Sequence, residues 1–145
     1  MYSYRVENIR VIDGDTVEVD IDLGFGVWLK KQKVRIYNID APEMRSKDDE
    51  EKLFGLAAKK KLEELLSLSD DITLRSFQDV RGKYGRIIGD FIIYDLVGTC
   101  AEALCAEGYA VKINDKTKDV IKEEHRQNRK LLISQGKINP KLISE

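Results

Sequence analysis

Cysteine, histidine, tryptophan and proline are scarce: the 145 residues hold two, one, one and two of them. Cys100 and Cys105 both fall in a predicted helix. Five positions apart they point in different directions, so no disulfide joins them, and no zinc spacing is present. His125, the lone histidine, follows Ile121 by four residues and precedes Leu132 by seven. It is expected to border a packed helix face rather than act as a catalyst. No apolar run approaches the roughly 18 residues of a helix that spans a bilayer, and a charged fraction of 35% also argues against a membrane protein. Residues 1–5 lead into no apolar segment of the signal-peptide kind. Together with the unpaired cysteines this predicts a reducing, cytoplasmic setting. There is no excess of positive charge either: the formal net charge is −1, so global charge does not announce a nucleic-acid binder. Repeats, low-complexity stretches and linkers are missing as well, and the length is that of one domain, taken to span residues 1–145.

What is present is a core-forming fraction of 42% hydrophobic residues and an uneven spread of charge. Lys30, Lys31, Lys33 and Arg35 cluster, and Glu43, Asp48, Asp49, Glu50 and Glu51 follow soon after. From Lys112 onward nine Lys or Arg face five Asp or Glu. Residues 4–12 read as a first strand. Residues 16–23 alternate strictly, with Val17, Val19, Ile21 and Leu23 apolar between Glu18, Asp20 and Asp22, the pattern of a half-buried strand. A glycine-hinged apolar loop follows, with Phe25 and Trp28 expected to anchor the barrel end rather than stack on bases. The central strand is predicted over 31–40, with Val34, Ile36 and Asn38 on one face and Arg35, Tyr37 and Ile39 on the other. Pro42, which has no N–H for a ladder, stops it.

Ser46 reads as the N-cap of a helix with acidic residues in its first turn, where the macrodipole favours them. Phe54, Ala58, Leu62 and Leu65 recur at helical spacing, the helix ends near residue 67, and Lys59 to Lys61 form a solvated face. Strands are predicted at 72–78 and 86–94, helices at 99–107 and 119–135, each closed by a glycine, and a frayed tail over 137–145. Five short antiparallel strands with a helix after the third make an α+β fold: a closed, five-stranded OB-type β-barrel with about three α-helices.

Three short segments carry the chemistry. Asp13-Gly14-Asp15-Thr16 is an acidic turn. Arg35 precedes Asp40-Ala41-Pro42-Glu43, and Lys83-Tyr84-Gly85-Arg86 is a basic turn. Each has a plain structural alternative. An Asp-Gly-Asp sequence is often only a turn. Arg35 can lay its stem on the barrel and reach water with its head. Glu43 can be an exposed acid, and Arg86 an ordinary turn charge. Taken together they suit a metal ion and a phosphodiester. A hard divalent cation takes carboxylates, carbonyls and waters, a carboxylate can handle an attacking water, and the planar arginine fork matches phosphate oxygens.

The ordered triple resembles the thermonuclease (staphylococcal nuclease) family over residues 11–108. The resemblance implies an OB-fold nuclease that needs calcium, with magnesium a poorer substitute. It implies cleavage of DNA and RNA with little sequence preference, leaving 3′-phosphate and 5′-hydroxyl ends. Residue by residue, Asp15 and Asp40 match the metal carboxylates, and Ala41 matches the position that offers a backbone carbonyl. Glu43 matches the proposed general base, Arg35 and Arg86 the two phosphate-binding arginines, and Lys83 and Tyr84 residues near the terminal phosphate. The chain departs from the family's type member around Asn114, where residues 108–114 supply no nucleotide-packing tyrosine, and after Asp115.

The expected partner is DNA or RNA, single-stranded or frayed, and the expected state is a monomer. The competing reading is an OB-fold module that grips single strands without cutting. A pure binder has no need for Asp15, Arg35, Asp40, Glu43 and Arg86 together. A third reading, a protein-interaction domain, has only the near-neutral charge behind it.

Overall fold

The computed structural model of the chain describes residues 2–77 and 85–139. Five strands close into a barrel in the order β1-β2-β3-β6-β5, where β1 is Tyr2–Asp13, β2 Thr16–Gly24, β3 Val27–Ile36, β5 Ile72–Ser76 and β6 Ile87–Ile93. Four of the five pairings are antiparallel, as expected from the sequence. The fifth, β3 with β6, is parallel, with Val34, Arg35 and Ile36 opposite Ile87, Ile88 and Gly89. The correction has a simple cause. Between β3 and β6 the chain passes through a helix and β5, and so re-enters beside β3 running the same way, which is what a long crossover permits. The barrel interior is filled by Val17, Val19, Val34, Ile36, Leu74 and Phe91, all fully buried. Ala58 and Leu62 of helix α1 (Asp49–Leu66) cap one side.

The central strand is shorter than its alternation suggests. β3 stops at Ile36, the chain turns at Tyr37 and Asn38, and a two-residue strand β4 (Ile39–Asp40) pairs with β7 (Val111–Lys112) outside the barrel. Asn38 has a left-handed backbone, φ 62°, which asparagine tolerates better than most residues. Its side chain grips Asn114: Asn38 Nδ2 donates to Asn114 Oδ1 at 2.7 Å, and the Asn114 N–H donates to Asn38 Oδ1 at 2.7 Å. The turn puts Ile39 in the core with Val34 and Ile36, so the predicted facing of Asn38 and Ile39 does not hold. Phe25 also departs from expectation. It is the fully exposed tip of the β2–β3 hairpin and anchors nothing, whereas Trp28 lies half-buried in β3 beneath the Lys30 ammonium.

The N-cap of helix α1 lies two residues later than predicted. Asp48 is the N-cap and accepts the Glu50 N–H, while the Ser46 hydroxyl accepts the Asp48 N–H one step upstream. Helices α2 (Cys100–Ala106) and α3 (Lys118–Ser134) are capped by Thr99 and Thr117. The two thiols are free. Burial pushes Cys100 up to about 12 and Cys105 up to about 11, which makes both poor nucleophiles. Helix α3 is mostly solvated and buries Leu132 against Phe54, with Ile138 of the following segment completing the cluster. Residues 140–145 lie outside the described residues.

Asp90 joins the barrel to α2. Its Oδ1 accepts the N–H of Phe91 at 2.8 Å and of Ala101 at 3.1 Å, and burial raises its pKa above the usual carboxylate value. Asp90→Ala is expected to lose about 1–3 kcal/mol of stability, the cost of stranding buried donors. Asp90→Asn keeps an acceptor, sheds the buried charge and should unfold at close to the wild-type urea midpoint. Equal midpoints for the Ala variant and wild type would remove Asp90 from this role.

Candidate active site

One end of the barrel gathers the β1–β2 turn, the end of β3 and the start of the loop after β4. The turn builds itself: Asp13 Oδ1 accepts the Asp15 N–H at 3.0 Å, the closure by which aspartate favours turns. Gly14 is required here, since a Cβ on it would lie 2.7 Å from both the Ala41 and Ala58 methyl groups. The Ile36 N–H then donates to the Asp15 carbonyl at 2.8 Å and ties the turn to β3.

Asp15 sits deep in this junction. Its Oδ2 accepts the Ala41 N–H at 3.1 Å and lies 3.3 Å from Arg35 Nη2. Burial is the dominant influence on its carboxyl. It drives the pKa up to about 7, against the pull of the Arg35 guanidinium and with a further push from neighbouring Asp13. Arg35 is a scaffold residue as well as a candidate phosphate ligand. Nη1 donates to the Ile36 carbonyl and Nη2 to the Ile39 carbonyl, both at 2.7 Å. The head therefore spans the β3–β4 turn, and its side chain is only 18% exposed, which rules out the snorkelling alternative.

Asp40 is the more open of the two candidate metal carboxylates, its side chain 43% exposed. Its Oδ2 lies 2.8 Å from His125 Nε2 on α3. Sequence reasoning placed His125 at the edge of a packed helix face and missed this contact. No motif or spacing links residues 40 and 125; the pairing follows only from how α3 docks. Glu43 leaves the loop after Pro42, and its Oε1 accepts the Arg45 N–H at 3.1 Å. It stands between two grooves. One, of about 600 Å³, is lined by Asp40, Ala41, Glu43, Ile121 and His125 among others. The other, of about 570 Å³, includes Asp13, Lys33, Glu43, Arg45 and Arg86. Glu43 therefore shares one groove with Asp40 and the other with Arg86. Lys83 and Tyr84 lie outside the described residues.

Helix α1 is the floor under the loop. A Cβ on Gly55 would come within 2.8 Å of the Pro42 carbonyl oxygen and the Met44 nitrogen, and 2.9 Å of the Glu43 carbonyl carbon. Backbone rests on backbone there.

A divalent cation suits the donor chemistry of this end. Among the described residues no three acidic, histidine or cysteine side chains converge into a ready-made cluster. The carboxylates of Asp15 and Asp40 and the carbonyl of Ala41 are oxygen donors, the type that calcium takes together with waters. Burial raises the Asp15 carboxyl against the pull of Arg35, so its charge is only partly balanced there, and a bound cation would supply the rest.

Comparison with known proteins gives a family match. The family model described as staphylococcal nuclease homologue matches residues 33–135. Endonuclease YhcR of Bacillus subtilis (strain 168) is 35% identical over 88 residues, which cover 57% of this chain and 7% of that protein. The chain thus spans a small part of the length of this curated relative.

The contact at Gly55 reverses an ordinary expectation. In an exposed helix interior Gly→Ala gains about 0.8–1.0 kcal/mol. Here the added methyl must push the residue 42–44 backbone away, and such overpacking typically costs about 1–3 kcal/mol. Gly55→Ala is expected to lower the urea midpoint, and a raised midpoint would show that the loop yields freely.

Proposed function

The chain belongs to the staphylococcal nuclease homologue family, and we propose from that premise that it is a calcium-dependent, sequence-nonspecific nuclease. It hydrolyses DNA and RNA phosphodiesters to 3′-phosphate and 5′-hydroxyl ends, works as a monomer and prefers single-stranded or frayed substrate. The observation that carries the reading is the convergence of Asp15, Arg35 and the residue 40–43 loop at one barrel end, with Arg86 facing the same groove as Glu43.

Glu43 orients the attacking water and takes its proton as the water oxygen bonds to phosphorus. The P–O5′ bond breaks, and the leaving oxygen takes a proton from solvent. Arg35 and Arg86 hold the non-bridging oxygens, on which charge grows in the transition state. Asp15, Asp40 and the Ala41 carbonyl would hold the cation. When bound, calcium supplies Lewis-acid stabilisation of a phosphate oxygen and helps place the water. By resemblance to the family, Lys83 and Tyr84 serve the nucleotide's terminal phosphate. The open grooves admit a flexible backbone more readily than a rigid duplex, and phosphate contacts make binding fall with salt.

Activity is expected to need an added divalent cation, with calcium best, because magnesium demands a stricter octahedron and sheds its waters reluctantly. Single-stranded DNA incubated with calcium, with magnesium and with excess EDTA checks this through the rate and the chemistry of the ends. Undiminished cleavage in EDTA would overturn the calcium requirement. A chain that binds oligonucleotide but never cuts it is the non-catalytic module instead.

Glu43→Gln and Arg86→Ala should fail differently. Loss of the base costs about 10²–10⁴ in single-turnover rate and leaves oligonucleotide affinity nearly unchanged. Loss of the arginine costs on the order of 10³–10⁵ and weakens binding as well. If Glu43→Gln loses affinity while Arg86→Ala keeps both affinity and rate, the two roles are wrongly assigned.

A further inference from the structure

The two candidate metal carboxylates are held in unlike ways. Asp15 is buried and fixed by the Ala41 N–H and by Arg35. Asp40 projects from a strand of two residues that, among the described residues, pairs with β7 alone, and its side chain is 43% exposed. What holds it is His125: Nε2 lies 2.8 Å from Oδ2. An ionised carboxylate only accepts hydrogen bonds, so Nε2 carries the proton and donates it, and the neutral Nε2–H tautomer suffices.

The imidazole is itself well seated. Its side chain is 12% exposed, and it borders a small crevice with Pro42, Phe54, Tyr109 and Leu132. Helix α3 has other attachments, Leu132 in its cluster with Phe54 and Ile138 and Arg129 at 2.9 Å from Glu50. Docking of the helix therefore does not need the histidine to reach Asp40.

We propose that His125 is a positioning residue for the cation site: its bond to Oδ2 sets the Asp40 carboxylate and leaves Oδ1 to enter the coordination shell. The inference rests on the reading of Asp40 as a cation ligand. Hydrogen-bond partners of ligating side chains commonly set metal affinity, and their loss costs about 10–100-fold. The imidazole does not itself ligate, because Nε2 is committed to Asp40 and calcium prefers oxygen.

The test is calcium titration by calorimetry of the whole chain without nucleic acid, comparing wild type, Asp40→Asn, His125→Phe and His125→Gln. Phenylalanine keeps the ring volume and removes the donor, so the calcium dissociation constant should rise about 10–100-fold. Glutamine carries an amide N–H near the place of Nε2 and should recover most of the affinity. Melting in EDTA should stay at the wild-type value in both. His125→Asn, whose amide is too short to reach Asp40, should bind calcium as weakly as the Phe variant and serves in its place if Phe unsettles α3. If Asp40→Asn loses calcium while His125→Phe and His125→Asn bind it as wild type does, the positioning role is overturned and the cation site stands. If Gln loses as much as Phe, ring packing and not the hydrogen bond is responsible, which also overturns it. If Asp40→Asn leaves calcium binding intact, Asp40 is no ligand, and the cation reading falls together with the role of His125.

Discussion

The fold turns on a buried ion pair that is also a set of backbone clamps. Asp15 cannot be buried without partners, since an uncompensated charge away from water costs several kcal/mol. Arg35 supplies part of the balance at 3.3 Å and spends its other contacts on the Ile36 and Ile39 carbonyls. The guanidinium thereby settles where β3 ends and how the chain turns toward β4. Asn38 takes the left-handed conformation the turn needs, and Ile39 drops into the core. Asp40 follows directly, so the placement of one candidate ligand depends on how the other is neutralised.

The second constraint is distance. Gly14 lets the β1–β2 turn close on the Ala58 methyl of α1, and Gly55 lets α1 lie directly against the backbone of the loop. The loop from Pro42 to Met44 is therefore held at backbone height above the helix, and Glu43 projects from it between two grooves. A proline-bounded loop on a rigid helix varies little in position, as a residue that must hold a water in line with a phosphorus atom requires.

Helix α3 adds a third part. It is a solvated helix with few anchors, yet one of its side chains reaches the site, because Arg129 meets Glu50 near the start of α1 and Leu132 packs on Phe54. The same docking that buries Leu132 carries His125 to Asp40. A helix within the stretch that the family model matches thus touches the candidate cation site.

Local patterns settled the strands of the barrel and the capped helices. Strict alternation in β2 and the 3.6-residue spacing of Phe54, Ala58, Leu62 and Leu65 are each legible within about a dozen residues, because burial against one face imposes the period. The ordered motifs likewise made Asp15, Arg35, Asp40, Glu43 and Arg86 readable as one group, since each lies in a short segment with its own turn chemistry. The sequence determined, by itself, the fold class, the family and the candidate residues. The tertiary structure alone decided the parallel closure of β3 on β6, the break at Asn38, the inward turn of the Arg35 head, the exposure of Phe25 and the bond from His125 to Asp40. Each of these depends on groups distant in sequence competing for the same donor, acceptor or space. No local period records such a competition, and only the folded chain resolves it.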